Sequence, residues 1–184
     1  IFVYGEEKMK KLLFYINALH HGGAERVIAY LANSFSNNEY NCVMVTSIKE
    51  SWEYPLDENV KRITLFNKGM PRNFIRRNIL ATLRLRKVIE SEKPDMVISF
   101  MAEPNFRAIV ANMGNKSKNL ISIRNDPNRE YPNFLFRFTA KILYPLADGI
   151  VFQTQEAMNY FSQAVQKKSR IILNPVDEVF FNTP

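Results

Sequence analysis

The residues best suited to chemistry fall in short polar segments that each follow an apolar run. The first, Asn17 to Arg26 (NALHHGGAER), places Gly22 and Gly23 directly before a helical pattern. Two glycines let a backbone approach a ligand closely, and the free N–H groups at a helix start favour an anion. The segment is neither GxGxxG nor GxxxxGK[ST]. It therefore predicts an anion-binding loop or, equally, a plain strand-to-helix turn.

The segment Ser122 to Glu130 (SIRNDPNRE) is the densest polar cluster in the chain. Its side chains could line a ligand site or form a solvated, ion-paired loop. The site candidates in this segment are Arg124, Asn125, Asp126 and Arg129.

A third polar segment, Met101 to Asn105, also follows an apolar run. Glu103 and Asn105 could line the same site as the preceding cluster. On spacing alone, the segment more simply caps a helix that Pro104 opens.

Basic residues without any acidic residue occupy positions 68 to 87. On a helix, four of them fall within an arc of about 100°. Because no Glu interleaves with them, the face lacks stabilising i,i+4 pairs and has like-charge repulsion. It predicts a phosphate-rich or membrane-surface partner, with a solvated helix face as the alternative. The run comprises Lys68, Arg72, Arg76, Arg77, Arg84, Arg86 and Lys87, of which Arg76, Arg77, Arg84 and Lys87 share the arc.

Aromatic residues are concentrated in Tyr131 to Phe138, beside Arg129 and Arg137. Aromatic helix faces more often pack into a core than bind a ligand. We therefore expect this segment to be a core-facing helix.

Seven short apolar runs, alternating with helical patterns, must position these segments. Continuous β-branched and aromatic runs indicate strands buried on both faces, and their alternation with helices indicates right-handed βαβ units. We predict an α/β fold with a doubly wound, mostly parallel Rossmann-like sheet of about seven strands. Ligands of such sheets bind beyond the carboxyl ends of the strands, where the polar segments lie. The predicted strands are 11–16, 41–47, 60–65, 95–100, 118–123, 148–153 and 169–174, and the predicted helices are 24–35, 73–92, 104–113, 132–146 and 155–165.

Composition limits the classes of function. The 184 residues carry a formal net charge of +7, with 46% hydrophobic and 23% charged residues, as in one folded domain rather than a disordered chain. A single Cys and two adjacent His residues argue against a disulfide framework, a multi-Cys zinc site and HExxH. Without an apolar stretch of about 18 residues or a signal peptide, we expect a cytoplasmic protein.

Three of these segments resemble a known family. The glycine segment resembles the N-terminal domain of family 4 glycosyltransferases, which are retaining nucleotide-sugar enzymes of the GT-B fold. VISFMAEPN (97–105) and SIRNDPNRE resemble the branch that elongates polyprenyl-pyrophosphate-linked glycans or capsular polysaccharide repeats.

The end of the chain resembles the family's N-G-V-D-x-x-x-F linker into a second domain. Asn174 to Asp177 (NPVD) is followed by Phe181, with Pro175 in place of the usual Gly. The resemblance implies a lead-in over 1–9, a Rossmann-like acceptor domain over 10–174, and over 175–184 the start of a linker to an absent C-terminal donor domain.

The resemblance implies transfer of a sugar, with retention, from a nucleotide-sugar, UDP-linked on family grounds, to a lipid-linked or polysaccharide acceptor. The family's donor-binding E-x7-E motif belongs to the second domain, so we expect this chain alone to be inactive. The fold typically works without a DxD-bound ion, and the sequence has no DxD, so the resemblance implies no metal and no cofactor. The implied sites are a donor-phosphate loop of Gly22, Gly23, Ala24 and Glu25, acceptor contacts from Asn105, Asn125 and Arg129, and pyrophosphate or membrane contacts from Arg72, Arg76, Arg77, Arg84 and Lys87.

Arg124 stands where many family members have a His near the transferred sugar. Arginine stays protonated and cannot act as a base, so we expect Arg124 to donate hydrogen bonds to a phosphate or a sugar hydroxyl. Asp126 and Glu103 are the nearest candidates for accepting the acceptor-hydroxyl proton. In this fold the leaving phosphate itself could take that proton instead.

Two other classes of function compete with a transferase. A stand-alone Rossmann-like nucleotide-binding module would need GxGxxG and an acidic residue closing the second strand, which instead ends Val45-Thr46-Ser47. Nucleic-acid binding would fit the basic run, but no nucleic-acid motif accompanies the charge. We therefore expect no nucleic-acid partner, and place the protein peripherally at the inner face of an anionic membrane.

Overall fold

A computed structural model of the chain describes residues 9–38, 40–67 and 69–174. Most of the predicted lead-in, the predicted linker over 175–184, and Lys68 of the basic run lie outside the described residues. The described residues form one sheet of seven parallel strands with helices on both faces. The predicted fold class is confirmed.

The strand order is β3-β2-β1-β4-β5-β6-β7. β1 therefore pairs with β2 on one side and with β4 on the other, and the direction of winding reverses between β1 and β4. This reversal is the topological switch point at which doubly wound sheets open a crevice. The strands are β1 (Lys11–Ile16), β2 (Asn41–Thr46), β3 (Lys61–Thr64), β4 (Met96–Phe100), β5 (Lys118–Ser122), β6 (Gly149–Phe152) and β7 (Ser169–Ile171).

The helices agree with the predicted pattern except near the end of the described chain. The predicted helix over 155–165 is two short helices, because the chain turns inward at Phe161, whose ring packs against Tyr131, Tyr144 and Phe152. A four-residue helix after β5 was also not predicted. The helices are α1 (Gly23–Ser36), α2 (Phe74–Glu92), α3 (Ala102–Asn112), α4 (Pro127–Glu130), α5 (Phe134–Leu143), α6 (Gln155–Asn159) and α7 (Gln163–Gln166), with a 3₁₀ turn at Tyr144–Leu146.

The pleat of β1 shows how the two layers are built. Leu12 and Phe14 face α1 on one side of the sheet, whereas Leu13 and Tyr15 face the layer formed by α2 and α3. Every second residue of a strand points to the same face, so an uninterrupted apolar run fills both cores at once. A third cluster under α3 and α5 completes the second layer.

A groove of about 1130 Å³ also lies on the α1 side of the sheet. Its floor consists of apolar side chains of the central strands, including Phe14, Ile98 and Leu120. At the carboxyl edge of the sheet the groove reaches Arg124.

Candidate functional site

The polar segments that follow β1, β4, β5 and β6 lie at one edge of the sheet. These four strands are parallel neighbours, so their carboxyl ends share that edge. The topology thus brings both segments to the same edge, as the sequence predicts: the glycine segment follows β1 at the switch point, and the Arg124 segment follows β5, two strands along.

The glycine segment forms the start of α1. Gly22 is the extended N-cap residue, with φ −150° and ψ 155°, and no side chain caps the helix. The carboxylate of Glu25 folds over Gly22, so that a Cβ at Gly22 would lie 1.9 Å from Glu25 Oε2. Gly23 has open space around it. The first N–H groups of α1 therefore remain available to an anion once Glu25 swings aside.

Arg124 lies at the boundary between two cavities. It lines the groove on the α1 side and also a cavity of about 400 Å³ between the loops that follow β5 and β6. Its guanidinium lies over the Phe100 ring, 4.9 Å from the centroid, and contacts the side chain of Asn174. Partial burial lowers the pKa of Arg124 from its ordinary value. A guanidinium held in this way can donate to a phosphate or a sugar hydroxyl.

Asn125 and Asp126 line the 400 Å³ cavity beside Arg124. The Asp126 carboxylate caps α4, because its Oδ1 accepts from the Asn128 backbone N–H at 2.9 Å. One carboxylate oxygen of this exposed residue remains for a ligand. Arg129 is also exposed on this loop, but it does not line the cavity.

Glu130 is a polar residue of the edge that the sequence analysis did not select as a site residue. Its Oε1 accepts from the Ala102 N–H at the start of α3 at 2.6 Å, and its Oε2 is buried without a hydrogen-bond partner among the described residues. Burial raises the pKa of Glu130 to about 7, although backbone hydrogen bonds from Ala102 and Asn125 oppose the rise. Glu130 thus ties the loop after β5 to the helix after β4.

Glu103 lies in an ion-pair cluster between α2 and α3. Its carboxylate contacts the guanidinium of Arg107 one helical turn on and accepts from Arg77 at 3.4 Å. Of the two predicted base candidates, Asp126 lines the cavity beside Arg124, whereas Glu103 does not.

Arg107 was also missed, because its partners are far away in sequence. Only 2% of this residue is exposed. Its guanidinium donates to Asn17 Oδ1 at 2.6 Å, to Asn78 Oδ1 at 2.8 Å and to the Tyr15 hydroxyl at 3.3 Å. The residue therefore fixes the end of β1, where the glycine segment begins. The sequence signal that could have identified Arg107 is Glu103, which lies four residues earlier in an otherwise apolar helical pattern.

The expected acceptor contact from Asn105 does not fit the structure. Asn105 is fully buried, accepts from Ser99 Oγ at 2.8 Å and donates to the Ser122 carbonyl at 3.0 Å. These bonds join β4 to β5 beneath the edge. The amide of Asn105 thus links two neighbouring strands, and the residue lines neither of the two cavities beside Arg124.

The basic run is less uniform than its sequence suggests. Arg77 pairs with Glu103, and Arg84 donates to the Leu65 carbonyl at 2.5 Å and covers the Phe66 ring. Arg86 pairs with Glu90. Arg77 and Arg84 of the predicted arc thus have partners elsewhere in the fold, whereas among the described residues Arg72, Arg76 and Lys87 are exposed and take part in no ion pair.

An aromatic stack beside the glycine segment was not predicted. The ring of His21 lies parallel to that of Trp52, with centroids 4.1 Å apart, and Tyr54 meets Trp52 edge-on. The loop between β2 and β3 supplies both partners. Nothing in the spacing of these residues indicates that the loop folds back onto His21.

The described residues contain neither a cluster of metal ligands nor a helix that could span a membrane. In residues 9–38, 40–67 and 69–174, no three His, Cys, Asp or Glu side chains come together as metal ligands. None of the helices in this part of the chain combines the length and apolar content needed to cross a bilayer.

A family model described as Glycosyltransferase Family 4 matches residues 21–180. Because this match takes in most of the chain, the chain belongs to that family, and the resemblance noted in the sequence is confirmed.

Two curated relatives come from Campylobacter jejuni subsp. jejuni serotype O:2. One is GalNAc-alpha-(1->4)-GalNAc-alpha-(1->3)-diNAcBac-PP-undecaprenol alpha-1,4-N-acetyl-D-galactosaminyltransferase, 29% identical over 180 residues, which are 95% of this chain and 49% of the relative. The other is N-acetylgalactosamine-N,N'-diacetylbacillosaminyl-diphospho-undecaprenol 4-alpha-N-acetylgalactosaminyltransferase, 28% identical over 92% of this chain and 49% of the relative. The chain spans about half the length of both.

Solved structures with the same fold include glycosyltransferases of the GT-B type. The apo form of the lipopolysaccharide outer core galactosyltransferase WaaB superposes with a TM-score of 0.69 at 17% identity, over 91% of this chain and 46% of that one. Anabaena HepE in complex with UDP and glucose superposes with a TM-score of 0.67 at 13% identity, over 95% of this chain and 47% of that one. At these identities the likeness concerns the fold alone.

Proposed function

We propose that this chain is the acceptor-side domain of a glycosyltransferase that moves a sugar from a nucleotide-sugar to a lipid-linked acceptor. The observation that carries the proposal is that the glycine segment and the Arg124 loop lie at the same carboxyl edge of the sheet. The names of the two Campylobacter relatives, both acting on undecaprenol-linked glycans, support the acceptor class. The UDP in the HepE structure supports a UDP-linked donor.

The donor diphosphate meets the start of α1 in this proposal. The backbone N–H groups of Gly23, Ala24 and Glu25 face the diphosphate, and Gly22 lets the ligand approach closely. The Glu25 carboxylate must leave its position over Gly22, since two anions repel each other there. The rest of the donor is bound by a further domain, because the curated relatives are about twice as long as this chain.

The sugar passes to the acceptor beside Arg124. The acceptor hydroxyl attacks the anomeric carbon, the bond from that carbon to the UDP oxygen breaks, and the hydroxyl proton passes to Asp126 or to the departing phosphate. Arg124 donates to the charge that develops on the leaving phosphate. Attack from the face that the phosphate leaves gives retention. Asn125 and Arg129 contact the acceptor glycan.

The diphosphate of the acceptor lies at the basic side of the edge. Arg72, Arg76 and Lys87 are exposed and could meet this diphosphate or anionic lipid headgroups. The protein is then peripheral at the inner face of the membrane. No metal takes part in this scheme.

A transfer assay tests the proposal. A polypeptide that joins this chain to the second half found in its relatives is incubated with radiolabelled UDP-N-acetylgalactosamine and a polyprenyl-diphosphate glycan. We expect label in the lipid-linked product, none with this chain alone, and none with a phosphate-free glycan acceptor. Absence of transfer from every UDP-sugar tried would refute the proposal.

A further inference from the structure

Helix α5 is apolar on two opposite sides. Phe136 and Ala140 pack into the core. The other side carries large apolar residues that face solvent, and Phe134 is 79% exposed. At 100° per residue, these exposed residues fall within an arc of about 100°. A helix with apolar residues all round is normally buried in a core or in a membrane. The exposed side consists of Phe134, Leu135, Phe138 and Ile142.

Helices α2 and α3 extend this exposed side. Arg86 of α2 reaches over α3 and donates to the Met113 carbonyl at 2.8 Å. Ile75 and Ile79 project within about 20° of Arg86 on the helix, so they lie on the side of α2 that faces α3. At the carboxyl edge, α2 meets α5 through Phe74 and Phe136, with ring centroids 6.5 Å apart. We call the resulting surface the helical apolar face: Ile75, Ile79 and Leu83 of α2, Val110 and Met113 at α3, and Phe134, Leu135, Phe138 and Ile142 of α5.

Most charges around the helical apolar face are positive; the exposed Glu90, near the C-terminal end of α2, pairs with Arg86. Residues 69–89 and 131–147 contain no Asp or Glu. The acidic residue of α3, Glu103, is held by Arg107 and Arg77. Exposed cations border the face on both helices. They are Arg72, Arg76 and Lys87 on the α2 side, and Arg137 and Lys141 on the α5 side.

We infer that the helical apolar face inserts into the headgroup region of an anionic lipid bilayer. Exposed aromatic and aliphatic side chains bordered mostly by cations match a surface that is apolar inside and anionic outside. The most exposed members, Phe134, Ile75 and Leu135, stand at the N-terminal ends of α5 and α2. Those ends lie at the carboxyl edge of the sheet, so insertion brings the candidate site to the depth of the lipid headgroups.

This inference rests on the proposed function only for its biological role, because the helical apolar face is the surface at which the chain reaches a lipid-linked acceptor. Binding through this face differs from purely electrostatic docking in its response to salt. Attraction between Arg or Lys and anionic headgroups is largely screened at about 0.5 M NaCl, whereas burial of apolar side chains is not. Binding therefore has a salt-resistant part.

Flotation of the chain with vesicles of phosphatidylglycerol and phosphatidylcholine tests the inference without any acceptor present. We expect the wild-type chain to stay bound at about 0.5 M NaCl. The variant Phe134→Ser/Leu135→Ser/Phe138→Ser should lose about tenfold or more of that salt-resistant binding. The matched control is Tyr30→Ser/Leu173→Ser, which removes residues that are 57% and 74% exposed on the other side of the sheet. The control should bind like the wild type.

Three results would overturn the inference. The first is unchanged binding of the triple variant at high salt. The second is loss of binding in the control, which would move docking to the groove on the α1 side. The third is a wild-type chain that ignores vesicles but forms an oligomer that the triple variant disrupts, which would make the face a protein interface.

Transfer to a short-chain, water-soluble diphosphate acceptor separates this inference from the proposed function. In the longer polypeptide, the triple variant should retain full transfer to that acceptor and lose transfer to vesicle-embedded acceptor. Absence of transfer to the soluble acceptor by the wild type would instead refute the proposed function and leave the vesicle result standing.

Discussion

At the scale of single residues, the buried guanidinium of Arg107 joins β1, α2 and α3 beneath the glycine segment. Replacing it by Met would leave Glu103 without its closest cation, Asn78 without its donor and Asn17 with Ser47 as its remaining donor. We expect Arg107→Met to lower the free energy of unfolding by about 3 kcal/mol, as for other broken buried pairs.

Urea unfolding measures this loss. Arg86→Met is the matched control, because Arg86 also pairs with a glutamate four residues away, but both partners are well exposed. The control should cost less than about 1 kcal/mol. Equal losses in the two variants would show that the buried cluster contributes nothing beyond an ordinary surface pair.

Glu130 predicts a pH dependence of stability. Its pKa is about 7 in the folded chain against an ordinary value of 4.5. The folded state therefore keeps a proton that the unfolded state has already lost, so the contribution of Glu130 is full below pH 4.5 and is lost as the pH rises through about 7.

The variant Glu130→Gln should not lose stability as the pH rises, because an amide oxygen can still accept from the Ala102 N–H but the amide does not ionise. We expect the difference in unfolding free energy between wild type and variant to shift in favour of the variant between pH 5 and 8, to be followed by urea unfolding. Glu156→Gln, at an exposed position on α6, is the control. Parallel pH curves for wild type and Glu130→Gln would contradict the assignment.

Residues such as these mark the limit of what the sequence could predict of the site. Ligands of parallel sheets bind beyond the carboxyl ends of the strands, and this rule predicted the edge at which Arg124 and Asp126 lie, because it depends only on strand direction. The roles of Arg107, Glu130 and Asn105 depend on partners up to 92 positions away, such as Tyr15 for Arg107. Only the packed structure brings those partners together.

At the scale of elements, the arginines of α2 that contact the fold and those that are exposed should contribute differently to stability. Arg84→Ala removes a hydrogen bond to the Leu65 carbonyl and the contact with the Phe66 ring, and should cost about 1–2 kcal/mol of unfolding free energy. Arg76→Ala should change that free energy by less than about 0.5 kcal/mol, because Arg76 is exposed.

Urea unfolding of both variants, with low-salt vesicle binding measured in parallel, checks this division. Arg76→Ala should weaken vesicle binding and leave stability unchanged. If Arg84→Ala were as stable as wild type, the contacts of Arg84 would contribute nothing to stability, and Arg84 would count with Arg76 and Lys87 as an exposed cation of the arc.

The elements themselves were largely predictable from the sequence. All seven strands coincide with the predicted runs, since strands buried on both faces leave an uninterrupted apolar signature. The aromatic helix was only half predicted. Tyr131 is buried as expected, but Phe134 and Phe138 face solvent, because α5 has apolar residues on both sides and periodicity does not tell which side the core occupies.

At the scale of the whole molecule, one sheet carries the candidate site at one edge and the helical apolar face on one layer. The groove on the α1 side meets the edge at Arg124. The predicted division into lead-in, acceptor domain and linker stays a prediction, because it depends on residues outside the described part of the chain.

The central claim is that this chain on its own binds the acceptor, whereas firm binding of the nucleotide-sugar also needs the further domain. The most direct test is calorimetric titration of the chain alone with a short-chain polyprenyl-diphosphate glycan and, separately, with UDP-N-acetylgalactosamine. We predict binding of the diphosphate glycan that Arg72→Met/Arg76→Met weakens about tenfold or more, because these residues meet its diphosphate. Arg124→Met should weaken that binding less, because Arg124 meets the leaving phosphate of the donor, and we predict little binding of UDP-N-acetylgalactosamine. Tight binding of the nucleotide-sugar with none of the diphosphate glycan would contradict the claim and favour a stand-alone nucleotide-binding module.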